Sequence, residues 1–193
     1  MNIVIIDYGA GNIQSLKFAI ERLGYSAKLS SSAEQIRNAD KIIFPGVGEA
    51  SNALQQLKQN GLDEVIPTLQ QPVLGICLGM QLLCKSTKEG NTTGLGIFDV
   101  DVIRFSQKVK VPQIGWNEIE SLNSLLFKGI KEREYMYLVH SYYAPLCEQT
   151  IATTFYDTNY SSALQKDNFY GFQFHPEKSG KAGSQLLNNF LTL

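Results

Sequence analysis

A cysteine bracketed by glycines sets the strongest local constraint on this chain. In Pro72-Val73-Leu74-Gly75-Ile76-Cys77-Leu78-Gly79-Met80-Gln81-Leu82-Leu83, a short apolar run leads to the cysteine, a glycine stands two residues away on each side, and a helical pattern follows. The segment reads as strand, sharp turn and helix, with the thiol at the apex. Such a turn is crowded, so the positions two before and two after must lack side chains. It exposes the sulfur at a helix N-terminus, where partial positive charge favours thiolate. Free cysteines are more often small buried hydrophobes. That plainer reading is kept for Cys84 and Cys147, which lack this context. Cys84 is expected about two helical turns further along the same face, packed inside.

The first half repeats the strand–helix alternation. Residues 3–6 read as a buried strand, and Asn12 can cap a helix over 13–23 that puts Leu16, Ala19, Ile20 and Leu23 on one face. Gly24 ends it. A strand over 25–29, a short helix over 32–38 and a strand over 42–44 follow. Helical patterns at 50–58 and 62–69 then precede the 73–76 strand. Repeated βα units imply an α/β fold: a doubly wound, mostly parallel sheet with helices on both faces. The second half reads as strands at 94–105, 135–140, 151–155, 162–165 and 170–174, closed by a helix over 180–191. No Pro/Gly/Ser-rich linker separates the halves. The added strands are therefore expected to be antiparallel and to belong to one domain spanning 1–193.

Composition excludes several classes. The net charge of -1 gives no bulk electrostatic case for nucleic acid or an anionic membrane. No apolar stretch approaches the roughly 20 residues that span a bilayer. Residues 1–7 lack a basic lead and read as a strand rather than a signal peptide. Three cysteines at irregular spacing make neither a disulfide framework nor a zinc site, so no metal and no cofactor is expected. A reducing, cytoplasmic compartment is consistent with them.

Two further segments can carry chemistry. In Gly171-Phe172-Gln173-Phe174-His175-Pro176-Glu177-Lys178, His175 follows an apolar strand and Glu177 comes two residues later. On an extended backbone those two share a side, and Pro176 disfavours a helical His175. A carboxylate beside an imidazole holds its tautomer and stabilises its charged form, and the imidazole can then take a thiol proton. Cys77, His175 and Glu177 would form a triad with a thiol nucleophile. A strand-end histidine with a solvated glutamate is the alternative. His140, the only other histidine, has no acidic neighbour in sequence until Glu148 and reads as structural or as a secondary contact. In Phe44-Pro45-Gly46-Val47-Gly48-Glu49, a glycine-rich loop follows a strand. Backbone N–H groups of Gly46, Val47 and Gly48, with that of Leu78, can bind an oxyanion. An ordinary βα turn is equally compatible. Gly9-Ala10-Gly11 fails as a dinucleotide motif, because Gln14 occupies the third glycine position.

Together these pieces resemble the class I (triad-type) glutamine amidotransferases along nearly the whole chain. The likeness rests on Tyr8-Gly9-Ala10-Gly11-Asn12, Pro45-Gly46-Val47-Gly48, Gly75-Ile76-Cys77-Leu78-Gly79-Met80-Gln81, Gly115-Trp116-Asn117, Val139-His140-Ser141-Tyr142 and Gln173-Phe174-His175-Pro176-Glu177-Lys178-Ser179. Within the family it narrows to the glutaminase subunits of histidine biosynthesis. The resemblance implies that Cys77 attacks the side-chain amide of glutamine, with His175 as base then acid and Glu177 orienting it. A γ-glutamyl thioester is then hydrolysed. It also implies that Gln81 contacts the substrate, that Glu89 meets its α-ammonium, and that backbone at Ser141 and Tyr142 binds its carboxylate. On physical grounds alone, surface helix polarity is the favoured reading of Gln81 and Glu89. The family further implies a partner, a (β/α)8 barrel cyclase subunit that consumes the ammonia. The expected interface lies around Asn12, Trp116, Tyr137 and Lys178. The same chemistry with another synthase partner, a stand-alone cysteine hydrolase and a non-catalytic binding subunit remain as alternatives.

Overall fold

The computed structural model describes residues 1–9 and 13–193; the cap and interface roles read for Asn12 lie outside the described residues. The order is β1 (Ile3–Ile6), α1 (Ile13–Arg22), β2 (Ala27–Ser30), α2 (Ala33–Arg37), β3 (Lys41–Gly46), α3 (Ala50–Gln59), α4 (Leu62–Val65), β4 (Val73–Cys77), α5 (Leu78–Leu83), β5 (Cys84–Thr87), β6 (Thr92–Thr93), β7 (Phe98–Arg104), β8 (Gln113–Ile119), β9 (Glu134–His140), β10 (Tyr142–Tyr143), β11 (Thr150–Tyr156), β12 (Thr158–Lys166), β13 (Phe169–Phe172) and α6 (Gly180–Leu191).

A seven-stranded sheet runs in the order β11-β12-β13-β4-β3-β1-β2. The strands from β13 to β2 are parallel, and β12 and β11 extend the edge antiparallel. Alternation along each strand feeds two cores. Val4, Ile6, Ile42 and Phe44 face one layer, where Ile36 of α2, Leu57 of α3, Leu62 of α4 and Met80 of α5 pack. Ile3, Ile5, Ile43 and Leu74 face the other, against Leu16 and Ile20 of α1 and Leu187 and Phe190 of α6. Both faces are covered at the centre of the sheet, so β1 and β4 are continuously apolar rather than alternating with polar residues. A four-stranded sheet, β10-β7-β5-β6, and the antiparallel pair β8-β9 form separate sheets, joined to the main one by the Ala144–Ser161 and Glu120–Thr153 bridges.

Several boundaries differ from the sequence reading. The second strand begins at Ala27, not 25, and the third runs on to Gly46. α1 stops at Arg22, leaving Leu23 half-buried against the same core. The pattern over 62–69 is one turn of α-helix and then a 3₁₀ turn, with Pro67 inside it. The elbow helix ends at Leu83, and Cys84 opens a strand instead of continuing the helix. The carbonyls of Leu82, Leu83 and Cys84 accept from Leu95, Ile97 and Gly96 N–H groups, partners that a continuing helix would not use. This also delays the strand expected from 94 until Phe98. Cys84 is nonetheless fully buried.

Candidate active site

β4 ends in a strained residue. Cys77 has φ 53° and ψ −110°, a region that costs a non-glycine residue roughly 1–3 kcal/mol and clusters at functional sites. The flanking glycines are required by contact. A Cβ at Gly75 would stand 2.8 Å from both the Leu83 side chain and Met80 N, and one at Gly79 would overlap the Phe44 carbonyl oxygen. The elbow packs directly on β3, whose Gly46 pairs with Cys77. The Tyr8 hydroxyl donates to Pro45 O at 2.8 Å, tethering the start of the glycine-rich loop.

The parallel pairing of β13 with β4 brings in the second half of the chain. Phe172 lies beside Ile76, so Gln173 and His175 run past the sheet end next to the sulfur. Glu177 Oε1 lies 2.9 Å from His175 Nδ1, and both side chains are at least nine-tenths buried. The backbone between them is not extended, as the spacing suggested. Pro176–Lys178 forms a single 3₁₀ turn, closed by Lys178 N–H donating to His175 O. Proline at its first position suits the fixed φ of such a start, and the turn curls the carboxylate back to the ring. Ser179 fastens it: its hydroxyl donates to His175 O at 2.6 Å and accepts from Tyr137 N–H at 2.9 Å.

Burial pushes the His175 imidazole down, but the neighbouring Cys77 sulfur and Glu177 carboxylate outweigh it and raise it to about 10. His175 Nε2 is buried and has no aligned hydrogen-bond partner among the described residues. The thiol instead donates to Val139 O at 3.8 Å and accepts from Gln173 Nε2 at 3.8 Å. Sulfur and imidazole are therefore adjacent without being hydrogen-bonded, an arrangement common in sites that tighten only around substrate.

A cavity of about 290 Å³ opens over the sulfur, and Val47, Gly48, Leu78, Gln81, Glu89, Ser141, Tyr142 and His175 line it with Cys77. Gly46 sits beneath, where a Cβ would press on Leu78, Gly79 N and the Tyr8 hydroxyl at 2.7–2.8 Å. Gln81 is buried rather than part of a polar helix surface. Its side-chain N–H groups donate to Tyr142 O and Gln173 Oε1, both at 2.9 Å. Glu89 is half-buried; its Oε2 accepts from Ala50 N–H at 3.0 Å, and burial raises its pKa. His140 also lines the cavity. Its Nδ1 lies 2.8 Å from Tyr142 O, which only accepts, so that nitrogen carries the proton. Gln173 and Ser179 belong to the family motif, but the sequence assigns them no role. Gln173 has no spacing signature, because its partners Gln81 and Cys77 are 92 and 96 residues away; Ser179 bonds His175 O four residues back, but its second partner, Tyr137 N–H, is 42 residues away.

Beside the cavity, Trp116 is 54% exposed and meets Tyr137 edge to face at 6.1 Å; the Lys178 ammonium lies 5.7 Å from the Tyr137 ring. Trp116, Tyr137 and Lys178 thus form one surface next to His175. Among the described residues, no group of three or more His, Cys, Asp or Glu side chains is placed to hold a metal ion. None of their helices is long and apolar enough to cross a membrane.

The chain belongs to the class-I glutamine amidotransferase family, whose model matches residues 4–193. The fold agrees: a crystal structure of glutamine amidotransferase superposes with a TM-score of 0.77 at 20% identity, covering 98% of this chain and 97% of that one. PurLQS from Thermotoga maritima gives 0.75 at 14% identity, covering 99% and 97%. Within the family the chain falls among proteins named imidazole glycerol phosphate synthase subunit HisH. It is 54% identical to that of Bacteroides fragilis and 46% identical to that of Yersinia pseudotuberculosis, in each case over 100% of both chains. Identity to the Haemophilus influenzae protein is 45%, over 99% of this chain and 97% of that one.

Proposed function

We propose that this chain, as one domain, is the glutaminase subunit of an imidazole glycerol phosphate synthase. It would hydrolyse glutamine to glutamate and hand the ammonia to a (β/α)8 barrel cyclase subunit in histidine biosynthesis. The observation that carries this reading is the Cys77 sulfur beside a buried imidazole that Glu177 holds at 2.9 Å.

In the mechanism, His175 Nε2, whose proton affinity the neighbouring sulfur and carboxylate raise, takes the thiol proton first, and the resulting thiolate attacks the amide carbon. The S–H bond breaks, the C–S bond forms, and the carbonyl oxygen gains negative charge. Backbone N–H groups of the Gly46-Val47-Gly48 loop and of Leu78 receive that oxyanion; losing one such donor typically costs about 10²–10³ in rate. Protonated His175 gives its proton to the leaving nitrogen, releasing ammonia and leaving a γ-glutamyl thioester. Water, activated by the same ring, adds to the thioester and expels the thiolate with glutamate. Glu177 keeps Nδ1 protonated throughout. Glu89 would receive the substrate ammonium; its carboxylate is partly desolvated, which raises its pKa. Ser141 and Tyr142 backbone would take the carboxylate, with Gln81 beside them.

Glutamine hydrolysis without an acceptor wastes the substrate, so partner docking over Trp116, Tyr137 and Lys178 is expected to activate the site. Reorientation of the Pro45–Gly48 loop on docking would present its N–H group to the oxyanion. Three free cysteines suit a cytoplasmic setting. Glutamine hydrolysis with and without a candidate barrel subunit and its ligand tests the reading. Turnover that rises on addition of the barrel supports it; equal rates remove the activation claim, and no turnover in either case removes the function.

A further inference from the structure

The nucleophile has a neighbour that the triad does not use. Gln173 is fully buried, and its side-chain N–H donates to Cys77 Sγ at 3.8 Å across 96 residues of sequence. The two ends of an amide look alike in shape, so its orientation must be argued from the network. Tyr142 O can only accept. Gln81 must therefore turn its NH2 group toward Tyr142, at 2.9 Å, and the same nitrogen meets Gln173 at 2.9 Å. Gln173 must then present its oxygen to Gln81, which leaves its NH2 group facing the sulfur. A single backbone carbonyl thus sets the direction of the whole relay.

We propose that Gln173 is a catalytic group in its own right, an amide donor that stabilises the Cys77 thiolate, and that Gln81 is a positioning residue holding that amide toward the sulfur. The proposal rests on the glutaminase reading for its role in turnover. A hydrogen bond to an ionised acceptor is stronger than one to a neutral acceptor. When His175 takes the thiol proton, the Gln173 contact strengthens on the charged sulfur. It weakens when the sulfur is acylated, since a thioester sulfur is a poorer acceptor. It is regained when hydrolysis expels the thiolate. The donor therefore favours thiolate both as attacking and as leaving group. Gln173 does not line the cavity, so ground-state binding of glutamine does not depend on it directly.

The test reads sulfur reactivity apart from turnover. Cys77 alkylation by iodoacetamide is followed by peptide mass mapping, which separates it from Cys84 and Cys147. Gln173→Met keeps the volume and removes the donor; its alkylation rate at neutral pH is expected to fall about 10- to 100-fold. In the complex with a barrel partner, kcat for glutamine should fall in parallel, with KM within about twofold. Gln173→Glu keeps the shape but presents an acceptor, and it should be slower than Gln173→Met. A role in packing alone predicts the reverse order. Gln81→Met should give a smaller loss and serves as the reading if Gln173→Met does not fold. Wild-type alkylation rates in folded Gln173→Met, or in Gln81→Met where the first variant fails, overturn the proposal. If the wild type shows no glutamine turnover but alkylation still depends on Gln173, the glutaminase reading falls and the donor role stands.

Discussion

His140 and His175 line the same cavity, 6% and 3% exposed, yet their proton affinities move in opposite directions. His140 is enclosed by Phe105 and Tyr160 at ring distances of 5.3 and 5.4 Å and bonds only neutral groups, the Tyr142 carbonyl and the Tyr160 hydroxyl. Burial therefore dominates and lowers its pKa to about 4. His175 suffers the same desolvation, but an anionic carboxylate at 2.9 Å and the Cys77 sulfur overcome it. Depth of burial does not make a histidine a base. The charge of what it touches decides, and the two rings divide the work: one binds a proton strongly, the other stays neutral and shapes the cavity wall.

The sharpest break between them should appear in turnover. His175→Ala in the complex is expected to lower kcat/KM for glutamine by about 10³-fold or more, within the usual range for a general base. His140→Asn, which keeps a donor near Tyr142, should cost less than about 10-fold. Comparable losses would erase the distinction. Next in size, Glu177→Gln removes the charge but keeps the shape. It should lower kcat by about 10²-fold and bring the His175 pKa down, which titration of the ring by NMR would follow. An unchanged ring pKa would show that Glu177 does not set it.

Stability should divide the pair again, with a smaller effect. The His140 pKa is lowered from its ordinary 6.5 to about 4, so the unfolded chain binds the extra proton between those values. Stability is then expected to fall by a few kcal/mol as pH drops from about 6.5 toward 4. His140→Asn should flatten that acid slope in urea titrations. The His175 pKa is raised, so its contribution is complete below about 6.5 and fades as pH climbs toward about 10. His175→Ala should flatten that alkaline slope and, by removing a positive charge that helps lower the His140 pKa, ease the acid slope slightly. The smallest effect concerns the cavity wall alone: Tyr160→Phe removes the hydroxyl near His140 and Gln113. It should cost about 1 kcal/mol of stability and leave the Cys77 alkylation rate unchanged.

How much of this could be read from residues alone follows the same physics. The strand–helix alternation was legible because strands covered on both faces stay apolar and helices keep a 3.6-residue stripe, as Leu16, Ala19 and Ile20 do. The elbow was legible because its steric demand falls on fixed neighbours, Gly75 and Gly79. The His175–Glu177 contact followed from spacing, although a 3₁₀ turn rather than an extended backbone makes it. β8 was not legible: Gly115 interrupts it at φ 132°, and Trp116 faces outward, so no alternation survives. The end of α5 at Leu83 depends on carbonyl partners from residues 95–97, and the relay through Gln173 on a glutamine 92 residues away. Long-range hydrogen bonds leave no periodic trace in the chain.

The central claim is that the Cys77 sulfur, with His175 as its base, forms a covalent bond to the glutamine side chain. Acid quench of the complex during glutamine turnover, followed by peptide mass mapping, reads this directly. The account predicts a γ-glutamyl adduct on the peptide carrying Cys77, absent in Cys77→Ala and strongly reduced in His175→Ala. Glutamate released at the wild-type rate by Cys77→Ala, with no adduct on the wild-type peptide, would contradict it.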